Sequence, residues 1–359
     1  MKLNTILILC ILVFFSACKS QTHAEKVKKQ NIGKAIGTVV TELPAKVWAI
    51  FQDSKDKHWF GSNGEGVFRY DGKELRKFTM EDGLVDDAIR GIQSDTSGNI
   101  YIETPAGISK YDGNSFTTLQ LIISDLNQWQ LEPTDLWFSC NASANDIYRY
   151  DGENLFELKL PKINLREAIG INTEVFSFNP YAVYGIDKDS KGNLWIGTVV
   201  SGAYRYDGRS FLLVTEKELS ILDDGRIPGL RSMVEDKDGN FWLSNFISRY
   251  KINVEIGTTE YEKLEGVDMS KGHFDNRLPY FNEGLVDANN DLWMASYGTG
   301  AWKYDGEELT NYVVKDGETE ALLITIYKDN EGVLWLGSDN VGVFRYIGEA
   351  FEKFLPEKK

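Results

Sequence analysis

Short segments with alternating apolar and polar residues recur along the chain from residue 47 to residue 354. In the fourth of seven similar windows, "AVYGIDKD" and "GAYRY" alternate, "NLWIGT" is short and apolar, and "SFLLV" closes the unit. Alternation with a period of two is typical of β-strands, and helical spacing of three and four residues is absent from these windows. Each window therefore predicts four short strands and no helix.

Two landmarks accompany the strands. The first is an Asp six residues before an aromatic residue, and a degenerate seventh copy has Leu131 where the Asp is expected before Trp137. The Asp–aromatic pairs are Asp53–Trp59, Asp95–Tyr101, Asp189–Trp195, Asp236–Trp242, Asp287–Trp293 and Asp329–Trp335. The second landmark is a basic residue followed by Tyr, which five of the seven copies continue as Tyr-Asp-Gly. These dipeptides are Arg69-Tyr70, Lys110-Tyr111, Arg149-Tyr150, Arg205-Tyr206, Arg249-Tyr250, Lys303-Tyr304 and Arg345-Tyr346.

The turns between strands indicate a repeated antiparallel meander. Asp-x-x-Gly segments supply residues that tolerate positive φ, and Asp-Gly is a strong hairpin signal. One four-stranded sheet cannot bury both of its faces, whereas sheets arranged radially bury each face against a neighbour. We therefore predict an all-β fold, a seven-bladed β-propeller of four-stranded antiparallel blades. The repeats cover about residues 47–84, 85–126, 127–161, 180–215, 229–264, 280–314 and 321–354.

The repeat resembles one that is already known. Its pattern, V-x-x-I-x-x-D-x-x-G-x-L-W-x-G-T-x-x-G-x-x-R-Y-D-G, is legible in the first, fourth, sixth and seventh units, and it closely resembles the two-component regulator propeller repeat. The resemblance implies a relation to periplasmic sensors of membrane-bound hybrid histidine kinases, many of them linked to polysaccharide detection. Because no transmembrane helix, kinase or output domain follows the propeller, we expect a stand-alone form of the family without a kinase or output domain.

The links between blades differ most among the repeats, and they hold the candidate binding residues. Residues 119–134, 159–182, 212–230 and 262–281 are long and irregular, and loops on a rigid scaffold commonly carry function. Aromatic faces and Arg side chains suit stacking on sugars or recognition of a peptide. The candidate ligand-binding residues are Trp129, Arg166, Tyr181, Arg226, His273, Arg277, Tyr280 and Phe281.

Local packing is the alternative interpretation of every loop aromatic, including Phe176 and Phe178. For the repeated Trp and Tyr residues, packing between blades is the favoured interpretation. The repeated basic residues are expected to pair with strand or turn carboxylates rather than with a ligand.

The first residues indicate an export signal. Lys2 precedes an apolar run from Ile6 to Phe15 that is too short to span a bilayer, and Ser16-Ala17-Cys18 follows. The segment resembles a bacterial lipoprotein signal, which implies a signal peptide at residues 1–17 and lipidation of Cys18; ordinary secretion with an incidental cysteine is the alternative. Residues 18–34 are then a polar, Lys-rich tether, and residues 35–359 form the propeller. We expect a lipoprotein of the bacterial cell envelope, anchored at the periplasmic side of the outer membrane.

The sequence is compatible with two ways of closing the ring of blades. The last repeat has its own fourth strand at "EAFEKF", while residues 35–43 could also pair with the edge of a sheet.

Composition and motifs narrow the functional classes. The chain has 54 Asp and Glu against 39 Lys and Arg, a net charge of -15, so nucleic acid is not an expected partner. Only His58 and His273 lie beyond the tether, and no Gly-x-Ser-x-Gly, His-Glu-x-x-His or Cys-x-x-Cys motif occurs. We therefore predict no catalytic residue, no metal site and no cofactor.

Three hypotheses of function follow. The first is a module that binds a polysaccharide or an envelope protein through the loops, and the second is a scaffold subunit of an envelope complex. The third is a propeller hydrolase or lyase, because the many acidic residues could supply the pair of carboxylates that a glycosidase needs.

Overall fold

Seven sheets of mainly antiparallel strands form the blades of a β-propeller, which confirms the predicted fold. The computed structural model describes residues 36–124, 126–140, 146–222, 225–255, 258–267 and 280–356. In five blades the strand order across the sheet is the order along the chain, so each strand turns back beside the one before it; blade 1 has this order in its last four strands and a further strand outside them.

The first three blades contain strands β1 to β13. Blade 1 consists of β1 (Thr38–Val40), β2 (Val47–Gln52), β3 (His58–Ser62), β4 (Val67–Tyr70) and β5 (Leu75–Phe78). Blade 2 consists of β6 (Gly91–Ser94), β7 (Ile100–Thr104), β8 (Gly107–Tyr111) and β9 (Phe116–Thr118). Blade 3 consists of β10 (Leu121–Ile122), β11 (Leu136–Phe138), β12 (Asp146–Tyr150) and β13 (Leu155–Lys159).

The remaining four blades contain most of the later strands. Blade 4 consists of β14 (Val183–Lys188), β15 (Leu194–Thr198), β16 (Ala203–Tyr206) and β17 (Phe211–Val214). Blade 5 consists of β18 (Met233–Glu235), β19 (Asn240–Leu243), β20 (Ser248–Glu255) and β21 (Thr258–Glu265). Blade 6 consists of β22 (Glu283–Val286), β23 (Leu292–Ser296), β24 (Gly300–Tyr304) and β25 (Leu309–Tyr312). A hairpin of β26 (Lys315–Asp316) and β27 (Thr319–Glu320) precedes blade 7, which consists of β28 (Leu323–Lys328), β29 (Leu334–Ser338), β30 (Val343–Tyr346) and β31 (Phe351–Lys353).

Short helices occur only in links between blades among the described residues. Helix α1 (Leu165–Ile169) and a 3-10 turn (Thr173–Val175) lie between blades 3 and 4, and helix α2 (Lys217–Ser220) lies between blades 4 and 5. A 3-10 turn at Met80–Asp82 lies between blades 1 and 2.

The apolar core consists of layers between neighbouring blades. Trp195 of blade 4 packs with Phe241 and Tyr250 of blade 5, and Trp293 of blade 6 packs with Phe351 of blade 7. The landmark Trp and Tyr residues of the second strands are buried in every blade, which confirms that they pack between sheets. Each blade therefore depends on its neighbours for burial of its faces.

The ring closes without exchange of strands between its two ends. β31 completes blade 7, as the sequence predicts, and β1 adds a fifth, outer strand to blade 1 by pairing with β5. Blades 7 and 1 contact each other through packing and a few hydrogen bonds. The Trp48 indole donates to Asp339 (2.7 Å), and the Gly342 amide donates to the Ala45 carbonyl (2.8 Å).

The two ends of the disc carry different connections. The turns between first and second and between third and fourth strands lie at one end, which we name the turn rim. The turns between second and third strands and the links between blades lie at the other end, which we name the link rim.

Candidate functional site

The repeated Asp and aromatic residues bond to each other on the turn rim. In blade 4, Oδ1 of Asp189 accepts the amides of Lys191 and Asn193 (3.0 and 2.8 Å), and Oδ2 accepts the indole N–H of Trp195 (3.3 Å). The same carboxylate-to-aromatic bond of 2.8 to 2.9 Å occurs in blades 1, 2, 5, 6 and 7. The spacing of six residues therefore serves to stabilise the turn and to fix the ring of the second strand.

The basic residues before Tyr also form contacts within their own blades. Arg149, Arg205, Arg249 and Lys303 form ion pairs with carboxylates of their own blades, as predicted. The other three, Arg69, Lys110 and Arg345, lie over the landmark aromatic ring of their own blade at 5.6 to 6.0 Å. These repeated positions consequently hold the blades together.

Blade 3 departs from the repeat because its described residues form no innermost strand. Trp137 in β11 pairs with Arg149 in β12, just as Trp195 in β15 pairs with Arg205 in β16, so β11 corresponds to a second strand. β11 nevertheless ends the sheet on its inner side. The fourth place is taken by β10, which lies on the outside and pairs with β13 in parallel.

The degenerate landmark of blade 3 coincides with this change. Asp135, two residues before Trp137 rather than six, accepts Nε of Arg149 at 2.6 Å. The indole N–H of Trp137 is buried without an acceptor among the described residues. The ion pair is thus kept with a carboxylate from another position, whereas the bond to the aromatic ring is lost.

Side chains from neighbouring blades cover the inner edge of β11. Gln93 of blade 2 donates to the carbonyl of Trp137 (2.8 Å), and Lys188 of blade 4 donates to the carbonyl of Asp135 (3.1 Å). Glu103 of blade 2 accepts the amide of Ser139 (3.0 Å). These bonds satisfy backbone groups that an inner strand satisfies in the other blades.

A cavity of 1340 Å³ occupies the centre of the propeller beside the inner edge of blade 3. Its wall includes the first strands of blades 1, 2, 4, 6 and 7, and β11 takes the place of a first strand in blade 3. At the link rim the wall is completed by Arg226, Pro228, Tyr280 and Tyr297. Small-molecule sites typically measure about 300–1,000 Å³, so this cavity has room for a ligand larger than a monosaccharide.

Two arginines stack on aromatic rings of the cavity wall. The guanidinium of Arg90 lies 4.6 Å from the ring centroid of Trp48, and that of Arg231 lies 4.3 Å from the ring centroid of Tyr184. All four side chains line the cavity. Stacked guanidinium groups and aromatic edges of this kind suit recognition of polar, planar or ring-shaped ligands.

Three carboxyl groups of the wall accept backbone N–H groups of the next blade. Asp187 accepts the amide of Met233 (2.8 Å), and Glu283 accepts the amide of Ile326 (3.1 Å). Burial raises the pKa of Asp187 to about 6 and, with the nearby charge of Asp187, the pKa of Glu283 to about 7. Burial also raises the pKa of Glu103, although the hydrogen bonds from Ser139 and Cys140 oppose this shift.

The structure brings two of the predicted binding residues together. Arg226 and Tyr280 both line the cavity at the link rim, and the Tyr280 hydroxyl donates to the carbonyl of Glu218 (3.4 Å). Arg166 lies exposed in α1. Tyr181 packs in a small apolar cluster of the link, where its hydroxyl donates to the carbonyl of Ile163.

The other predicted residues lie away from the cavity or outside the described part of the chain. Trp129 packs at the interface of blades 3 and 4, with its ring 5.9 Å from Trp137, and Phe281 is 2% exposed at the interface of blades 5 and 6. Neither of these two rings lines the cavity. His273, Arg277 and the lipidation residue Cys18 lie outside the described residues, so their roles stay predictions.

Sequence reasoning missed Trp48, Arg90, Tyr184 and Arg231. All four lie within or next to first strands, outside the long irregular links in which the sequence predicts ligand contacts. Leu131, where the repeat expects Asp, was the signal in the sequence that blade 3 differs from the others.

Comparison with known families identifies the repeat. The family model described as two component regulator propeller matches residues 177–199, which contain the Asp189–Trp195 landmark. This segment of blade 4 therefore matches the two-component regulator propeller repeat, as the sequence pattern predicts. No curated protein sequence matches the chain.

Several solved propellers are similar to the chain at low sequence identity. The extracellular domain of the one component system BT4673 from B. thetaiotaomicron has 20% identity and a TM-score of 0.56, and the match covers 86% of this chain and 40% of that one. Virginiamycin B lyase from Staphylococcus aureus, with quinupristin, has 14% identity and a TM-score of 0.54, with coverage of 86% and 99%. YCF48 from Cyanidioschyzon merolae has 14% identity and a TM-score of 0.54, with coverage of 87% and 99%.

At this level of identity the similarities show a shared fold and nothing about activity. The chain spans only 40% of the BT4673 domain's length. Within the described residues, no helix is long and apolar enough to cross a membrane, and no group of three or more His, Cys, Asp or Glu is arranged to hold a metal ion.

Proposed function

We propose that this chain is a sensor-like binding module of the bacterial envelope that recognises an extended glycan in its central cavity. The observation that carries the proposal is the central cavity of 1340 Å³, whose wall at blade 3 is formed by β11 because the described residues include no inner strand there. The wall combines stacked Arg–aromatic pairs with backbone and amide groups. Sugars are bound by this combination of flat apolar faces and hydrogen-bonding groups.

The repeat family and the envelope setting support the proposal. Similar propellers form extracellular domains of sensor proteins, among them that of BT4673. In our proposal Cys18 carries a lipid that keeps the propeller at the membrane, and residues 18–34 are the tether. The ligand then enters at the link rim, past Arg226 and Tyr280.

Binding can be tested by obstructing the cavity. Ile324 of β28 lines the cavity, so Ile324→Trp places an indole inside it. The matched control is Val254→Trp, because Val254 is 63% exposed on blade 5. We expect isothermal titration calorimetry with a panel of neutral and acidic oligosaccharides to find a ligand of the unchanged protein. Ile324→Trp should weaken that binding at least about tenfold, a loss of about 1.4 kcal/mol.

The outcome of this test is decisive in both directions. If no oligosaccharide of the panel binds, glycan recognition is refuted. If the control and Ile324→Trp bind equally well, the glycan lies elsewhere, and the loops of the link rim become the alternative site.

We propose that the cavity binds its ligand without catalysing a reaction. The cavity carboxyls of Asp187 and Glu283 are occupied as acceptors for the next blade, which favours a structural role for them. Mass spectrometry of a bound oligosaccharide after prolonged incubation should therefore find it intact. Cleavage that is lost in Glu283→Gln would instead support the hydrolase or lyase hypothesis.

A second candidate function, scaffolding of an envelope complex, is favoured by an apolar patch on the outside of blade 3. Leu121, Ile122, Ile123 and Leu126 are exposed there at 43%, 39%, 83% and 74%. Exposed apolar clusters of this kind are common at protein interfaces. Crosslinking should recover one reproducible envelope partner that Ile123→Asp loses. Val175→Asp, at a residue that is 72% exposed in a link, is the control.

A further inference from the structure

We infer that the ligand is an acidic sugar whose carboxylate or sulfate group is held by Arg90 and Arg231. The inference deepens the proposed function and depends on it, because it concerns the same central cavity. Nothing in the repeat requires an arginine at these positions, since the blades are already held together by the landmark residues.

The two arginines hold equivalent places in the links that enter blades 2 and 5. The residue before each one donates its amide to the end of a second strand: Ile89 to the carbonyl of Ser62 (2.8 Å) and Leu230 to that of Thr198 (2.9 Å). A glycine allows the close approach in the second case, because a Cβ on Gly197 would lie 2.2 Å from the Leu230 carbonyl oxygen. The backbones that carry both arginines are therefore fixed before a ligand arrives.

Both side chains are oriented by packing rather than by an acid. Arg90 stacks on Trp48 and donates from Nη1 to Asn63 Oδ1 (3.0 Å), and Arg231 stacks on Tyr184. Neither guanidinium forms an ion pair with any carboxylate in the described part of the chain. By contrast, the two scaffold arginines that are most buried, Arg149 and Arg205, each have an Asp partner.

Neither guanidinium has a carboxylate within ion-pair distance among the described residues, and a bound anion would supply one. Burial lowers the pKa of both guanidinium groups; at Arg90 the charges of Asp86 and Glu103 oppose this shift, and the charge of Arg231 adds to it. Nε of Arg90 is also buried without a hydrogen-bond acceptor among the described residues. The wall carboxyls of Asp339, Asp187 and Glu283 accept hydrogen bonds from the Trp48 indole and from backbone amides, and none of the three forms an ion pair with either guanidinium.

Guanidinium chemistry matches the inferred group. A stacked arginine keeps its edge of N–H donors available, and that planar edge pairs with two oxygens of a carboxylate or sulfate. A neutral sugar offers hydroxyl groups only, which form weaker bonds with a charged donor than an oxyanion does.

The experiment compares three matched probes on the purified full chain: a neutral galacto-oligosaccharide, an oligogalacturonate of the same length and a sulfated galactan oligosaccharide. Calorimetry at low and at high NaCl concentration measures each affinity. We expect at least one acidic probe to bind about tenfold or more tightly than the neutral one, with an affinity that falls as salt rises. Binding of the oligogalacturonate would indicate that the arginines hold a carboxylate, and binding of the sulfated galactan would indicate that they hold a sulfate.

Variants assign the effect to the two arginines. Arg90→Gln and Arg231→Gln should each weaken binding of the acidic probe about tenfold or more and weaken any binding of the neutral probe much less. Arg231→Lys keeps the charge without the planar edge and should lie between Arg231→Gln and the unchanged protein. Arg209→Gln, at an exposed residue of a Tyr-Asp-Gly turn on the other rim, is the control and should bind as the unchanged protein does.

The outcomes separate this inference from the proposed function. Equal binding of neutral and acidic probes, or acidic binding that survives both Gln variants, overturns the acidic-sugar inference and leaves glycan recognition standing. If none of the three probes nor the wider oligosaccharide panel binds, the proposed function fails and the inference fails with it.

Discussion

Blades 3 and 4 are neighbours built from the same repeat, and they differ in one strand. Blade 4 keeps all four strands and the bond from Asp189 to Trp195, whereas blade 3 has no inner strand and its Trp137 indole has no acceptor among the described residues. Both blades retain a buried ion pair with the arginine of the third strand. The landmark residues therefore stabilise the ring in both blades, whereas the inner edge of blade 3 differs and lines the central cavity directly with β11.

Loss of the buried ion pair should have the largest effect, and the effect should be at least as large in blade 4, where Asp189 also accepts two turn amides and the Trp195 indole. Asp135→Ala and Asp189→Ala each leave an arginine that is less than a tenth exposed without its partner. We expect each variant to lower the free energy of unfolding by about 3–5 kcal/mol, measured by urea denaturation.

The control for this prediction is Asp112→Ala, which removes an exposed turn carboxylate that accepts two amides and should cost about 1 kcal/mol. If Asp135→Ala lowers the free energy of unfolding no more than Asp112→Ala does, the ion pair is not important for the stability of blade 3.

Replacement of the landmark Trp by Phe should distinguish the blades. Trp242→Phe removes the indole donor from Asp236 (2.9 Å), whereas Trp137→Phe removes a donor that has no acceptor. Both changes remove similar apolar surface, so we expect Trp242→Phe to cost about 1–2 kcal/mol more than Trp137→Phe in thermal or urea denaturation. Equal losses would argue that the Asp–Trp bond contributes little to the repeat.

Gln93, whose side chain covers the inner edge of β11, should contribute less to the free energy of unfolding than the residues above. Gln93→Leu removes the donor to the Trp137 carbonyl and should cost about 1 kcal/mol. Hydrogen exchange at the backbone amides of blade 3 should also become faster, because the edge loses a cover. Gln120→Leu, at an exposed glutamine outside the cavity, is the control and should change neither measurement.

The pH dependence of stability should show the smallest effect. Asp187 and Glu283 have pKa values raised to about 6 and about 7, so the folded protein holds their protons more tightly than the unfolded chain does. Their contribution to stability is present at low pH and is lost as the pH rises through these values. The melting temperature should therefore fall between pH 5 and pH 8, and less steeply in the Asp187→Asn, Glu283→Gln double variant.

Asp112→Asn is the control for the pH dependence of the melting temperature. Backbone hydrogen bonds lower the pKa of Asp112, so this group titrates below pH 5. The control variant should keep the slope of the unchanged protein. A double variant with that same slope would show that the cavity carboxyls do not titrate between pH 5 and pH 8.

Much of the fold could be predicted from the sequence, and less of the site. The Asp189–Trp195 spacing and the alternation in β14 to β17 are local, so strands, turns and packing residues follow from short windows. Arg226 and Tyr280 were found because they lie in irregular links. Trp129 and Phe281 lie in similar links, yet their rings face neighbouring blades, and no local pattern distinguishes the two cases.

The sequence by itself determined the repeat, the number of blades and the residues that pack between them, because these depend on periodicity and on turn chemistry within about 40 to 50 residues. Only the tertiary structure decided that β10 forms the outer edge of blade 3, that no strand of the described residues lies inside β11, and that Arg90 and Arg231 line one cavity. The physical reason is that a strand can be recognised without its partner, whereas a cavity exists only where chain segments distant in sequence fail to fill the space between them.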